Sequence, residues 1–433
     1  MNTDKLIDKK IYISPYNDIA LNLKKNLENK NISISGYIDN NKIGHDIFKQ
    51  SEVSEYDYIV INSPNYWLEI AQNIKDKSKI ILFFSKFYSY HEYLDTLKQQ
   101  ANSKSYDIIF MPHNKAHTLD MIPIVNTLKK DTNYRIAFAN IKDRYHNEGA
   151  YDEIIKTSID IVPIDSLKLN IVKTDIFIAM NTWEKRLVKP LIQHYNNQNI
   201  LTIGIVEGIT DFTDVDYKTD REAYQNVKYV LATGKNDLKY LKNKQNFVIG
   251  IPKMINLWKK DVVHFPNETL VVINLSFLSL QYNDYGKIWI KNVVEVCNEL
   301  RLKYIISKHP NDVTDVTNYN VTNKTIYEIL NEGTLLISRF STTILESIAL
   351  GKPVVYFKPQ PEKTKLYDNN YGAFSIAKDR DELKEKILYE LENKYNVRQR
   401  ANKFLDEQCN INEPIKPEIL ASKYITEIIS NKV

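Results

Sequence analysis

The stretch that decides the fold runs from Leu335 to Phe357 and has the sequence LLISRFSTTILESIALGKPVVYF. Four residues typical of a buried strand begin it, a hydroxyl-rich turn follows, and apolar residues then recur at helical spacing. Gly351 and Pro353 end that helix, and a second apolar run suited to a strand comes directly after them. Strand, turn, helix and strand in this order predict a parallel βαβ crossover.

The same alternation continues in both directions, so the sequence predicts the α/β class, with three Rossmann-like units in series. The predicted domains are 1–102, a small accessory unit with a structural or docking role, 103–262, and 263–433, which ends in a helical tail. The first unit lacks the glycines of a dinucleotide-binding turn. Residues 250–267 contain Pro252 and Pro266 with little periodicity, which indicates an interdomain linker.

Composition excludes several classes of function. The chain has 11 glycines in 433 residues, and it contains neither of the glycine-rich phosphate-loop patterns GxGxxG and GxxxxGK[ST]. A net charge of +4 spread along the chain does not indicate a nucleic-acid partner, although it permits weak attraction to an anionic membrane surface. Cys297 and Cys409 lie far apart, so we expect a buried thiol at Cys297, no disulfide, and a reducing cytoplasm.

The turn within the deciding stretch has the chemistry of a phosphate site. Ser341, Thr342 and Thr343 fall where the helix begins, and the positive end of a helix favours an anion there. Arg339 and Lys352 add positive charge. A purely structural alternative exists, because Thr343 and Glu346 also have the spacing of a capping box.

A second candidate, Lys308-His309-Pro310, follows a predicted strand at 304–307. Histidine can donate to a phosphate oxygen and lysine supplies charge, whereas an ordinary surface histidine is the alternative. One helix and one strand separate this element from the hydroxyl turn. We therefore expect two adjacent strand ends that point at the same ligand.

His-Pro, the Ser/Thr turn and the E-x-x-x-x-G-K-P-V sequence from Glu346 together resemble the C-terminal half of GT-B glycosyltransferases, over roughly 270–357. The pattern is most similar to bacterial sialyltransferases, Kdo transferases of capsule synthesis and CDP-glycerol glycerophosphotransferases. The resemblance implies two Rossmann-like domains facing a cleft, preceded here by the small N-terminal unit. It also implies a donor site, with Glu346 near the donor ribose, made of Lys308, His309, Pro310, Arg339, Ser341, Thr342, Thr343 and Glu346.

The middle unit supplies the candidate catalytic groups. Glu207-Gly208 follows a predicted strand and is similar, in part, to the acidic motif that gives such sialyltransferases their catalytic base. The match is partial because Val206 is not acidic, and the alternatives are Asp211 and then His117. His113 and His117 follow the first strand of this unit, and each alone is typical of a surface residue.

We expect no metal and no cofactor. Asp214-Val215-Asp216 has the D-x-D spacing of metal-dependent GT-A transferases, but that spacing is common by chance and the domain order does not suit GT-A. Helix dipoles and cations can offset the charge of a leaving group without a metal.

The resemblance therefore implies a metal-independent glycosyltransferase of bacterial surface polysaccharide. The composition adds the expectation of a cytoplasmic protein, soluble or peripheral at the inner face of the membrane. Its partners would be a nucleotide-sugar donor, with CMP-linked donors favoured, and a glycan or lipid-linked glycan acceptor, with no nucleic acid. Three alternatives stay open: a CDP-polyol phosphotransferase, a UDP-sugar 2-epimerase and a non-catalytic nucleotide-binding protein. Ser341-Thr342-Thr343 stands where an epimerase has its usual double-glycine turn.

Overall fold

The structure is a computed structural model that describes residues 3–101, 104–142, 149–208, 211–212, 222–241, 245–259, 263–276, 283–309, 312–359, 367 and 369–431. The strands within these residues form three sheets. The strands Ile11–Ser14, Leu201–Ile205 and Leu335–Ser338 are buried along their whole length, and Leu270–Leu275 along all but its first residue, as expected for parallel strands covered by helices on both faces. This burial explains the apolar runs in the sequence.

The first sheet has six strands in the order β3-β2-β1-β4-β5-β6, parallel except for the β5–β6 pair. Its strands are β1 Ile11–Ser14, β2 Gly36–Ile38, β3 Ile47–Phe48, β4 Tyr58–Ile61, β5 Ile80–Phe83 and β6 Phe87–Ser89. Its helices are α1 Asp18–Glu28, α2 Trp67–Gln72 and α3 Tyr90–Ala101. Asn17 caps α1 by accepting a hydrogen bond from the backbone N–H of Ala20 at 2.8 Å.

The second sheet has seven strands in the order β13-β12-β11-β10-β7-β8-β9. The strands are β7 Ser105–Met111, β8 Ile136–Asn140, β9 Asp160–Pro163, β10 Lys173–Ala179, β11 Leu201–Ile205, β12 Tyr229–Ala232 and β13 Gln245–Val248. The helices are α4 Lys115–Asp131, α5 Ala150–Ile154, α6 Ile164–Lys168, α7 Val188–Asn197 and α8 Pro252–Trp258.

The third sheet has five parallel strands in the order β15-β14-β16-β17-β18. The strands are β14 Leu270–Leu275, β15 Lys303–Lys308, β16 Leu335–Ser338, β17 Val354–Phe357 and β18 Ser375–Ala377. The helices are α9 Asn283–Glu299, α10 Ile326–Glu332, α11 Thr343–Ala349, α12 Arg380–Glu392, α13 Val397–Cys409 and α14 Pro417–Ser430. Cys297 is fully buried on α9, as predicted, and burial raises the pKa of its thiol to about 12.

Contacts between Cα atoms divide the chain into two compact units. Unit 1 comprises Met1–Leu119, Tyr134–Ile178 and Glu184–Leu201, and unit 2 comprises Asp120–Asn133, Ala179–Trp183 and Thr202–Val433. The domain boundaries after residues 102 and 262 stay predictions. None of the described helices combines the length and the apolar content needed to cross a bilayer.

The predicted linker at 250–267 is wrong over its first half, because α8 lies there. Pro252 occupies the first turn of this helix, where its missing N–H costs no hydrogen bond. Met254 and Ile255 are buried, and Met254 packs in the core cluster that includes Ile344 and Phe404. Proline here marks the beginning of a helix rather than a flexible connection.

The helical tail returns from the third sheet to the strands that end the second. Tyr424 on α14 stacks on Phe247 of β13 with ring centroids 4.5 Å apart. Gly234, just after β12, lies against the backbone of α13, and a Cβ atom placed on it would stand 2.2 Å from the carbonyl oxygen of Glu407. Lys235 adds an ion pair with Asp406 at 2.9 Å.

We expect Gly234→Ala to lower the free energy of unfolding by about 1–3 kcal/mol, because the added methyl group meets backbone that cannot rotate away. Lys235→Ala is the matched control at the next position. It removes only an exposed ion pair, worth about 0–1 kcal/mol. Urea unfolding of both variants measures the difference, and equal losses would contradict a close backbone contact at Gly234.

Candidate functional site

The hydroxyl turn lies at the point where the third sheet reverses its winding. β14 has β15 on one side and β16 on the other. The connection after β14 leads to β15, and the connection after β16 leads to β17 in the opposite direction. Ligands of doubly wound sheets bind at the carboxyl ends of strands beside such a point. Ser276 follows β14 there, and Arg339 and the turn at 341–343 follow β16.

The expectation that the His-Pro strand and the hydroxyl-turn strand are adjacent is wrong. β15, which ends at Lys308, pairs with β14 at the edge of the sheet, and β14 separates it from β16. The two strand ends are therefore two spacings apart, about 10 Å. The sequence could not show this, because a strand pattern carries no information about which side of β14 the next strand takes.

Hydrogen bonds within the hydroxyl turn fix its shape. The hydroxyl oxygens of Ser341 and Thr343 lie 2.9 Å apart, and the backbone N–H of Thr343 donates to Ser341 Oγ at 3.2 Å. The fully buried Tyr367 donates its hydroxyl to the carbonyl oxygen of Ser341 at 2.9 Å. Ser341 and Thr342 stay partly exposed, so they can meet a ligand.

A buried cation stands directly before this turn. Arg339 is 3% exposed, and its Nη1 donates to the carbonyl oxygen of Ser276 at 3.5 Å. Ser338 beneath it is held by Asn274, whose amide donates to Ser338 Oγ at 3.0 Å. The guanidinium is therefore held between the ends of β14 and β16, where it can stabilise a phosphate group.

Lys308 and His309 lie at the end of the edge strand, and the His309 side chain is exposed. The backbone N–H of His309 donates to the carbonyl oxygen of Leu275, and its own carbonyl oxygen accepts from the N–H of Asp312, both at 2.9 Å. Pro310, the third predicted residue of this element, lies outside the described residues.

Glu346 takes part in a buried ion pair. It is 5% exposed and accepts hydrogen bonds from Lys253 Nζ at 2.5 Å and from the hydroxyl of Tyr327 at 3.0 Å. Burial raises the pKa of Glu346, and the Lys253 ammonium opposes part of that rise. The capping-box interpretation of Thr343 and Glu346 is wrong, because Glu346 turns away from the backbone of the first turn towards α8 and α10.

Lys352 has a structural role rather than the predicted electrostatic one. It is 4% exposed, and its ammonium donates to the carbonyl oxygens of His264 and Gly333. Burial lowers the pKa of Lys352 to about 8. Of the two cations that the sequence suggested, Arg339 therefore supplies positive charge beside the hydroxyl turn and Lys352 does not.

The loop after β11 is fixed by a buried carboxylate. Asp211, 1% exposed, accepts hydrogen bonds from the backbone N–H of Glu207 at 2.8 Å and from the hydroxyl of Tyr224. Tyr224 is fully buried, and its own backbone N–H donates to Thr182 Oγ1 at 2.7 Å. Glu207 itself is only partly buried. Asp211 therefore positions the loop, whereas the Glu207 side chain remains accessible to solvent.

The same loop approaches the hydroxyl turn. A Cβ atom placed on Gly208 would lie 3.7 Å from Thr342 Cγ2, which is ordinary van der Waals distance. Glu207 precedes Gly208 directly in the chain. The folded chain thus brings a candidate acid–base residue of the second sheet beside a candidate donor-binding turn of the third.

His117, the third candidate base, belongs to unit 1. It is fully buried in the first turn of α4, and His113 is 5% exposed, so the expectation of surface histidines is wrong. The backbone N–H of His113 donates to His117 Nδ1 at 3.2 Å, which places the ring proton of a neutral His117 on Nε2. The helix begins at Lys115 and so includes His117.

Sequence reasoning missed Lys253, Tyr327 and Tyr224. Lys253 fell in the supposed linker, although Pro252 followed by apolar residues at helical spacing was a usable signal for α8. No local pattern marks Tyr224 or Tyr327. The described residues contain no group of three or more His, Cys, Asp or Glu side chains that could hold a metal ion, and Asp214 and Asp216 lie outside them.

Neither a protein-family model nor a curated protein sequence matches the chain. Similar solved structures include the putative UDP-N-acetylglucosamine 2-epimerase of Listeria monocytogenes, with 12% identity, TM-score 0.52, and coverage of 75% of this chain and 96% of that chain. They also include the Methanocaldococcus jannaschii UDP-GlcNAc 2-epimerase in complex with UDP-GlcNAc and UDP, with 12% identity, TM-score 0.53, and coverage of 75% and 99%. The wall teichoic acid polymerase TagF matches with 15% identity, TM-score 0.43, and coverage of 77% and 90%.

At this level of identity the similarity establishes the fold. The chain has a GT-B-type α/β fold with Rossmann-like domains and an additional Rossmann-like sheet before them, which confirms the predicted fold class. The narrower resemblance to sialyltransferases or Kdo transferases stays a prediction.

We expect Lys253→Met to destabilise the protein by about 2 kcal/mol at pH 8 and by clearly less at pH 5. Burial already raises the pKa of Glu346 above its value in the unfolded chain, so folding favours the protonated carboxyl and stability falls as the pH rises through the folded-state pKa. Without the ammonium, the folded-state pKa rises further and the loss at high pH grows.

Urea unfolding at both pH values measures this effect. Lys303→Met is the matched control, because it removes an equally short pair with Glu268 in which both side chains are about two-thirds exposed. An equal loss in the free energy of unfolding at pH 5 and pH 8 for Lys253→Met would show that the ionisation of Glu346 does not depend on Lys253.

Proposed function

We propose that the chain is a GT-B glycosyltransferase that moves a sugar from a nucleotide-sugar donor to a hydroxyl of a bacterial surface polysaccharide. One observation carries the proposal: the loop of Glu207 and Gly208 lies in van der Waals range of the Thr342 turn. A transferase needs a proton acceptor and a donor-phosphate site at the same place, and these two segments supply both chemistries.

In the proposed site the donor phosphate lies at the end of β16. Arg339 offers a guanidinium held between two strand ends, and the partly exposed hydroxyls of Ser341 and Thr342 can donate to phosphate oxygens. Lys308 and His309, about two strand spacings away, suit the more distant part of the nucleotide. The proposal favours a CMP-linked donor on the sequence resemblance alone.

Glu207 is the proposed general base for an inverting transfer. The acceptor hydroxyl oxygen attacks the anomeric carbon, the bond from that carbon to the donor phosphate oxygen breaks, and the acceptor proton passes to the Glu207 carboxylate. The leaving phosphate keeps the electron pair of the broken bond, and Arg339 stabilises its charge. Asp211 is less suited to this role, because its carboxylate is buried and accepts bonds from Glu207 and Tyr224.

The alternatives differ in their products. A CDP-polyol phosphotransferase would form a phosphodiester, and a UDP-sugar 2-epimerase would return a nucleotide sugar of unchanged mass. A non-catalytic protein would bind nucleotide without consuming it. Incubation with CMP-, CDP- and UDP-linked donors, followed by mass spectrometry and ³¹P NMR, separates the four outcomes, and a glycan product that gains sugar without phosphorus supports the proposal.

We expect Glu207→Gln to reduce kcat by roughly 10²-fold or more, the range for loss of a general base, with nucleotide affinity near that of the wild type. Glu392→Gln, at the exposed end of α12, is the matched control. Full activity in Glu207→Gln with loss in Asp211→Asn would move the base to Asp211. Full activity in both variants would contradict a carboxylate base.

We expect His309→Ala to weaken nucleotide binding by about fivefold, because a hydrogen bond from His309 to the part of the nucleotide beyond the phosphate is worth about 1 kcal/mol. The side chain is exposed, so the fold should be unaffected, and His45→Ala, in the turn before β3, provides an exposed control outside the third sheet. Calorimetric titration with CMP, CDP and UDP measures the affinities. Unchanged affinity in folded His309→Ala would exclude His309 from the donor site.

A further inference from the structure

Unit 1 contains a cavity of about 150 Å³ that the proposed reaction centre does not use. Its wall is formed by α3, by the segment after β5 together with β6, by the carboxyl ends of β8 and β9, and by the start of α6. Pockets for drug-sized ligands measure roughly 300–1,000 Å³, so this one suits a single small ring rather than a nucleotide. The lining residues that bear on its chemistry are Phe84, Tyr88, Tyr93, Gln100, Asn140 and Asp165.

Aromatic rings form part of the cavity wall. Tyr93 packs edge-on against Phe84 and against Tyr88, with both centroid distances 5.3 Å. Trp67 is fully buried and packs edge-on against Tyr93 with ring centroids 5.4 Å apart. These contacts hold the rings in place before any ligand arrives. Little side-chain entropy would therefore be lost when a flat apolar ligand face packs on them.

Polar groups capable of hydrogen bonding line the cavity beside these rings. Asp165 is 1% exposed and accepts a hydrogen bond from the Tyr93 hydroxyl at 2.5 Å, and a carboxylate has further lone pairs to offer. Asn140 and Gln100 add amide groups. Thr96 adds a hydroxyl that donates to the backbone carbonyl oxygen of Glu92 at 2.8 Å and can still accept. A ligand that presents several donors and acceptors around one ring would satisfy this wall.

Charge around the cavity argues against a cationic ligand. Lys86 Nζ lies 4.9 Å from the centroid of the Tyr88 ring, so that ring already has a cation beside it. Lys142 also lines the cavity, and its Nζ lies 4.6 Å from the centroid of the Tyr151 ring, so a second positive charge stands nearby. A neutral ligand with one apolar face and several hydroxyl groups therefore fits better than an ammonium compound.

We propose that this cavity binds one neutral saccharide ring of a glycan, stacked on the Tyr88 and Tyr93 side and hydrogen-bonded by Asp165, Asn140 and Gln100. The role of this cavity as a subsite for the acceptor glycan rests on the proposed function. Saccharide binding itself does not depend on that function. The position between the first and second sheets also gives the additional N-terminal sheet a role, because α3 contributes Tyr93, Thr96 and Gln100.

Saturation-transfer NMR with the methyl glycosides of glucose, galactose and N-acetylglucosamine tests the proposal on the full chain. We expect at least one glycoside to give a signal that falls at least fivefold in both Tyr88→Ala and Gln100→Ala. Gln99→Ala, the neighbouring exposed position on α3 that does not line the cavity, should keep the signal. Thermal unfolding of each variant confirms that the fold is retained.

Two results would overturn the proposal: no signal from any of these glycosides, or signals that persist in both cavity variants. Competition of the signal by choline but not by a second glycoside would overturn the assignment of a neutral ligand. Titration of the same variants with CMP and UDP keeps the two hypotheses separate, because loss of saccharide binding with normal nucleotide affinity concerns this cavity alone. Absence of CMP and UDP binding in the wild-type protein would instead contradict the proposed function.

Discussion

Parallel pairing of strands is the constraint on which the rest of this structure depends. Parallel strands need crossover connections, and those connections cover both faces of a sheet and bring all its strand ends to one edge. In the third sheet β14 lies between β15 and β16. The connection after β14 leads to β15 on one side, and the connection after β16 leads to β17 on the other. The opening created there holds Arg339 and the hydroxyl turn.

Buried polar groups then decide which side chains remain accessible at this edge. Asp211 and Tyr224 fix the loop after β11 and leave Glu207 partly exposed, while Lys352 is taken up by backbone carbonyl oxygens. Glu346 is paired with Lys253 across α8 and α11. Each of these groups was a plausible ligand contact from its residue type, and the hydrogen bonds separate those that support the site from those that can meet a ligand.

The helical tail and the first sheet each make contacts beyond their own sheet. α13 and α14 return to β12 and β13 through a close backbone contact at Gly234 and a stacked pair of rings, so the third sheet and the end of the second form part of one compact unit. The first sheet instead contributes α3 to the cavity of unit 1. A helix that covers one sheet thus provides side chains to a pocket beside another.

Local patterns in the sequence were sufficient for the α/β class, for most strands and helices, and for the strand–turn–helix at 335–349, because apolar spacing and breaker residues act over a few positions. They also identified Arg339, Ser341 and Thr342 as a group. Strand order, the pairing of Lys253 with Glu346, the burial of His117, and the approach of Gly208 to Thr342 came only from the tertiary structure. These features join residues far apart in the chain, and their energies depend on packing and desolvation that no short window of sequence contains.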